Sequence, residues 1–268
     1  MELKCLVVGI SSAIAGGIVQ YVISSHIWPN RHKVYTWTFA FRDHKKLGIP
    51  GETDLVLDRD GYSLGYSYQY KCALWVSYIV SKHSIGVDLD RGEIFYPDPD
   101  IPSPHRVSPD DFKNTGYDKG HLAPSSSIDF SRRSNDQTFA MSNIALQDPK
   151  LNRQAWGSLE GLIRDWTVTK GKLLITVGPL YNQRPRRIND IPLPNGFYQV
   201  IYSFKHKRAI GFILPNEDVK ASQLWNYAKT VKDVEKETGY TFFKKMDKNL
   251  QKKVKAELDI SWWKEKAD

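Results

Sequence analysis

Cysteine is nearly absent from this chain: two residues in 268, Cys5 and Cys72. Cys5 falls in an apolar N-terminal run, so a folded domain beyond it holds one thiol. That excludes a disulfide framework and a cysteine-based zinc site. Cys72 opens the strand-like stretch Cys72-Ala73-Leu74-Trp75-Val76-Ser77-Tyr78, where a buried, inert thiol is expected. Internal repeats are missing, as is any long low-complexity linker beyond Trp28. Charge is missing too between Cys5 and Ser25. As a helix that run spans roughly 30 Å, about one bilayer core. No clear A-x-A site follows it and no arginine-rich transit pattern is visible, which favours an uncleaved anchor over a cleaved signal.

What is present is an ordinary globular composition rich in aromatics, with eight Trp and fourteen Tyr to fill a core. The formal net charge of +8 points to a polyanionic partner, either nucleic acid or an anionic membrane surface. The chain divides into a hydrophobic signal or anchor segment over 1–27, a linker over 28–46 and a main domain over 47–268. Residues 97–109, rich in Pro and Asp, read as an extended surface loop. Alternating apolar residues predict strands at 74–80, 139–147, 173–177, 198–203 and 209–214. Helical periodicity covers 152–166 and 218–237, the latter stopping at Gly239. Without a regular βαβ alternation, the fold class is α+β. The lysine-rich stretch 244–266, with Trp262 and Trp263, suits a solvated amphipathic helix or a nucleic-acid contact.

Chemistry concentrates between Tyr117 and Arg164. The order is Tyr117-Asp118-Lys119-Gly120-His121, then Met141-Ser142-Asn143-Ile144, then Leu151-Asn152-Arg153-Gln154-Ala155-Trp156, then Leu159-Glu160 and Arg164. A histidine follows a turn-forming glycine, with a strand and a helix after it. Phosphodiester hydrolysis needs a base for water, a cation for developing charge and positive groups around the phosphate. His121, a metal near Asn152, and Lys119 with nearby arginines supply all three. In a regular helix Asn152 and Glu160 lie roughly 12 Å apart along the axis and about 80° around it, so both ligate one ion only if Asn152 precedes the regular helix. An ion pair between Glu160 and Arg164, four residues apart, competes with any functional role for either. Trp156, Leu159, Ile163 and Trp166 form a core face. The histidines at 26, 32, 44, 83, 105 and 206 lack comparable context and are expected at the surface.

These motifs resemble the DNA/RNA non-specific endonuclease family, of the Serratia nuclease and endonuclease G type. The family's Asp-Arg-Gly-His matches Asp118-Lys119-Gly120-His121, followed by Leu122-Ala123-Pro124. Its Ser-Asn strand matches Ser142-Asn143, and its Asn-x-x-x-Trp-x-x-Leu-Glu helix matches Asn152, Trp156, Leu159 and Glu160. Further likeness runs from about Leu47 to Phe243, through Gly61-Tyr62-Ser63-Leu64-Gly65-Tyr66, Trp75-Val76-Ser77-Tyr78 and Val177-Gly178-Pro179-Leu180-Tyr181. The resemblance implies a ββα-metal (His-Me) finger in a mainly antiparallel sheet flanked by helices, and an enzyme cutting DNA and RNA to 5′-phosphate ends. It implies His121 as general base, and Asn152 as sole direct protein ligand of a Mg²⁺ that keeps several waters, with Mn²⁺ as substitute. Glu160 would hold metal-bound water and Asn143 would organise the site, both counted with the catalytic set. Arg91, Arg164 and Lys119 would bind substrate phosphate. A homodimer and a separate inhibitor are compatible with the family. Location is expected to be extracytoplasmic (secreted, periplasmic or membrane-anchored), with mitochondria as the alternative.

One departure stands out. The motif's arginine is Lys119 here, which keeps the charge and loses the planar two-toothed grip on phosphate. A binding module without turnover and a membrane-tethered interaction protein are the competing readings.

Overall fold

The computed structural model describes residues 43–85 and 94–265. The N-terminal apolar segment, the linker up to residue 42 and Arg91 lie outside them. Among the described residues no helix is long and apolar enough to cross a membrane.

The frame is a seven-stranded sheet in which every neighbour pair is antiparallel. Its order is β1 (Leu55–Asp58), β2 (Ser63–Ser67), β3 (Cys72–Val80), β6 (Leu173–Leu180), β9 (Gly196–Ser203), β10 (Arg208–Pro215) and β11 (Ala228–Lys229). A separate hairpin pairs β4 (Asp118–His121) with β5 (Ile144–Gln147), and a short one pairs β7 (Arg187–Ile188) with β8 (Ile191–Pro192). The helices are α1 (Arg132–Gln137), α2 (Pro149–Leu151), α3 (Gly157–Thr169), α4 (Val231–Thr238), α5 (Lys248–Ala256) and α6 (Ile260–Lys264).

The interior strand β9 is buried along its whole length because both faces are covered. Tyr198, Val200 and Tyr202 meet Val231 and Val234 of α4, Val254 of α5, and Phe242 and Phe243 from the segment between these helices. The alternate residues face α3 and the turn before it, where Trp156 packs 5.4 Å from Phe197. Trp156, Leu159, Ile163 and Trp166 are all at most 3% exposed, the core face that the periodicity predicts. Burying such side chains is worth about 1.5–3 kcal/mol each, so α3 is fixed by its apolar stripe. Cys72 is buried, and burial pushes its thiol up to about 12, leaving it inert at neutral pH.

Several expectations are corrected. The strand predicted over 139–147 begins only at Ile144, because Met141–Asn143 makes a 3-10 turn that carries Asn143 to the end of β4. The helix predicted over 218–237 is split. Ala221–Tyr227 is 3-10, Ala228–Lys229 joins the sheet edge, and only α4 is regular, opened by a Thr230–Asp233 capping box and closed by left-handed Gly239. The C-terminal amphipathic stretch breaks into α5 and α6. His44 is no surface residue: it is 1% exposed, with the Ile79 N–H 3.3 Å from Nδ1 and the Asp60 carbonyl 3.4 Å from Nε2.

Candidate active site

Strands β4 and β5 with the helix that follows form a ββα unit. Asp118 faces Gln147 and His121 faces Ile144 in the antiparallel register. Gly120 lies in the strand and not in a turn. A Cβ there would come within 2.3 Å of Gln147 Oε1, so the glycine makes room for that side chain. Gln147 is 1% exposed, and neither end of its amide has a partner among the described residues. Such a group is normally satisfied by water or ligand.

The helix begins as its sequence demands. Asp148 caps the N-terminus, accepting from the N–H groups of Lys150 and Leu151, and Pro149 occupies the first turn, where no donor is needed. Asn152–Trp156 then forms a π turn before α3. Its cause is visible: the Ala155 N–H leaves the helix and donates to the Val219 carbonyl at 3.3 Å. Asn152 therefore precedes the regular helix α3.

His121 ends β4, half-buried between two rings. Phe95 is 5.5 Å and Phe139 5.1 Å from it, centroid to centroid. These rings are brought together by backbone bonds from Tyr96 N to Phe139 O and from Met141 N to Tyr96 O. His121 Nε2 is buried without a hydrogen-bond partner. Burial alone lowers the imidazole to about 4, so it is neutral at pH 7.

Asn152 is oriented by Asp118. The carboxylate can only accept, so the amide must turn its nitrogen toward it (Nδ2 to Oδ2, 2.9 Å), and the amide oxygen is left free for another partner. Arg153 clamps the same carboxylate with two bonds of 2.9 and 2.8 Å. Asn143 is fully buried with its amide spent on the hairpin. Nδ2 donates to Ala123 O and Thr138 O at 2.9 and 2.8 Å, and Oδ1 accepts from Ala123 N at 2.9 Å. Its contribution is therefore positional. Beside it both oxygens of the buried Asp98 carboxylate accept from Arg59 Nη2, at 2.8 and 2.7 Å, and the hydroxyl of Ser142 donates to one of them. This fixes the segment that carries Phe95.

Glu160 is close enough to Tyr78 of β3 to act on its hydroxyl electrostatically. Burial raises its carboxyl to about 7 against the opposing pull of Arg164 and the Trp156 indole. Arg164 makes no ion pair with it, since the guanidinium instead donates to Ser126 Oγ at 2.9 Å. Lys119 is half-buried with its ammonium 5.4 Å from the Phe95 ring, on the same strand face as His121. Among the described residues no three His, Cys, Asp or Glu side chains converge as a metal cage. The available donors, an amide oxygen and a carboxylate, are hard oxygens suited to a divalent ion that retains water, such as Mg²⁺.

Asp118, Gln147 and Arg153 were not singled out as site residues by sequence reasoning. The strand alternation that sets Asp118 and Gly120 against Gln147 is the signal that points to two of them.

With that geometry in hand, the sequence profile of the DNA/RNA non-specific endonuclease family matches residues 42–249. A nuclease of Syncephalastrum racemosum is 32% identical over 78% of this chain and 74% of its own length. Nuclease C1 of Cunninghamella echinulata var. echinulata is 33% identical over 75% and 88%. Human mitochondrial endonuclease G is 29% identical over 74% and 72%. A chain in the crystal structure of the EndoG/EndoGI complex superposes with a TM-score of 0.72 at 25% identity, covering 80% of this chain and 95% of that one.

Proposed function

Because this chain belongs to the DNA/RNA non-specific endonuclease family, we propose that it hydrolyses phosphodiester bonds with His121 as general base and Asn152 as the protein ligand of a Mg²⁺ ion. One observation carries the reading: a neutral imidazole with a buried, unpartnered Nε2 and an amide oxygen aimed by Asp118 stand on one ββα unit.

His121 takes a proton from the attacking water as its oxygen bonds to phosphorus, and the bond to the 3′ oxygen breaks, leaving a 5′-phosphate. An imidazole that is already neutral needs no prior deprotonation. Phe95 and Phe139 keep the ring from swinging. When bound, Mg²⁺ or Mn²⁺ supplies Lewis acidity to the phosphate and leaving oxygen. Asn152 would hold the ion directly and Glu160 through water, a role that requires the carboxylate form. Lys119 and Arg164, with Arg91, would hold the non-bridging phosphate oxygens, while Asn143 and Asp118 keep hairpin and helix in register. Relatives named as mitochondrial add weight to a mitochondrial location as the alternative to export.

The test is to incubate the protein with supercoiled plasmid and with RNA, with Mg²⁺ or with EDTA. The wild type should nick both in Mg²⁺ only. His121→Ala should lose cleavage and retain binding. Cleavage by that variant at the wild-type rate shows the base to be misassigned.

A further inference from the structure

The C-terminal end of α3, the turn between β9 and β10, and the α5–α6 region gather positive charge. Ser203 Oγ donates to the Lys170 carbonyl at 2.8 Å and Phe204 N to the Lys172 carbonyl at 3.2 Å, so the exposed Lys205 and Lys207 stand next to Lys172. A cleft beside the turn is walled by Lys207, Arg208 and Lys253. Two carboxylates answer this charge: Asp259 pairs with Arg208, and Glu257 lies 3.9 Å from Lys253. Lys170, Lys172, Lys205 and Lys207 have no carboxylate within ion-pair distance among the described residues.

Lys170 separates this surface from an ordinary scatter of solvated lysines. The residue is only 5% exposed, and its ammonium rests 4.3 Å from the centre of the Trp262 ring. Arg208 lies 5.0 Å from the same ring and the His206 imidazole 5.1 Å. The indole face stabilises part of this buried charge, and no carboxylate neutralises it among the described residues. The field is felt locally: His206 is lowered first by burial and then by Lys205, Lys170 and Arg208. Closely set cations beside a half-buried indole match the phosphate backbone of a nucleic-acid strand.

We propose that this surface is a second, remote phosphate-binding site that grips substrate nucleic acid away from the scissile bond and makes turnover depend on polymer length. The inference rests on the reading of His121 as the cutting centre. From Asn152 to Lys170 the helix advances by eighteen residues, or roughly 27 Å. At 3.4 Å per nucleotide, a strand needs at least about eight nucleotides to touch both places.

The experiment compares the full chain with a Lys172→Gln, Lys205→Gln, Lys207→Gln triple variant and with the corresponding triple to Glu. Circular dichroism melting checks that both fold. Cleavage is followed on a hexanucleotide and on a 40-base-pair duplex across a range of salt. The duplex should show KM raised about tenfold by the Gln variant and more by the Glu variant. The salt slope of duplex binding should become shallower by about 3, from three lost contacts at about 0.9 each. Hexanucleotide cleavage should stay within about twofold of wild type. Equal loss on both substrates, or loss on neither, overturns the proposal. Wild-type binding to phosphatidylserine vesicles that the variants lose, with duplex kinetics unchanged, also overturns it and assigns the patch to a membrane surface. A wild type that cuts neither substrate instead refutes the nuclease site itself.

Discussion

The opposed shifts of His121 and Glu160 predict an unusual pH profile. A histidine base with an ordinary value near 6.5 would be only ~0.09 neutral at pH 5.5, whereas with His121 lowered to about 4 the neutral fraction is ~0.97. Base protonation therefore costs almost nothing until the pH nears 4, an advantage of about tenfold at pH 5.5. Glu160 behaves in the opposite way. Raised to about 7, it is ionised to only ~0.03 at pH 5.5 without a nearby ion, and cation binding lowers that midpoint. The acid limb of the wild-type enzyme should thus belong to Glu160. Replacing it by Gln removes that limb, lowers the maximum and uncovers the limb of His121 near pH 4. The assay is kcat/KM for a fluorescent oligonucleotide between pH 4 and 8 at saturating Mg²⁺, for wild type and Glu160→Gln. A variant whose rate falls with unit slope below pH 6.5 refutes the desolvated-base argument.

Three further outcomes follow from particular contacts. His44 is buried and lowered to about 4, so its neutral form is favoured in the fold; stability is untouched above pH 6.5 and lost as pH falls from 6.5 toward 4, because the unfolded chain binds the proton first. At pH 5 that loss is about 2 kcal/mol, so urea unfolding in EDTA should show His44→Gln losing about 2 kcal/mol less than wild type between pH 7.5 and 5, and equal losses would refute it. For Asp118→Ala, the amide of Asn152 loses the acceptor that orients it, so kcat should fall about 10–100-fold with KM for nucleic acid little changed. A variant with wild-type kcat removes the orienting role. Lys119→Arg should raise kcat/KM several-fold in the plasmid assay, since a guanidinium can lie over Phe95 and offer two parallel donors to phosphate; a fall would show that the lysine is already the better fit.

Legibility in the sequence followed the range of the interactions. The core face of α3 and the stop at Gly239 were readable because periodicity and a left-handed glycine are local signals. The order Asp118 to Glu160 was readable as a motif. Its geometry was not. The π turn at Asn152 depends on the Val219 carbonyl, a partner more than sixty residues away. No window of sequence announces it. The burial of His44 is hidden from the sequence for the same reason, since its partners Ile79 and Asp60 reach it only through the tertiary fold. Gly120 was assigned to a turn because glycine favours turns, yet the demand on it comes from Gln147 across the hairpin.

The charge pattern that results bears directly on how such a site can be indifferent to base sequence. Asp118 is answered by Arg153 and Asp98 by Arg59, while burial keeps His121 neutral. Little unpaired negative charge is then left around His121 to repel a phosphodiester. Lys119, on the same strand face, and Arg164, held by Ser126, add positive charge. A site organised in this way responds to the phosphate, which is identical in every nucleotide, and base edges are not needed for productive placement. The same charges make binding sensitive to salt, so sequence indifference and steep salt dependence should appear together in one enzyme.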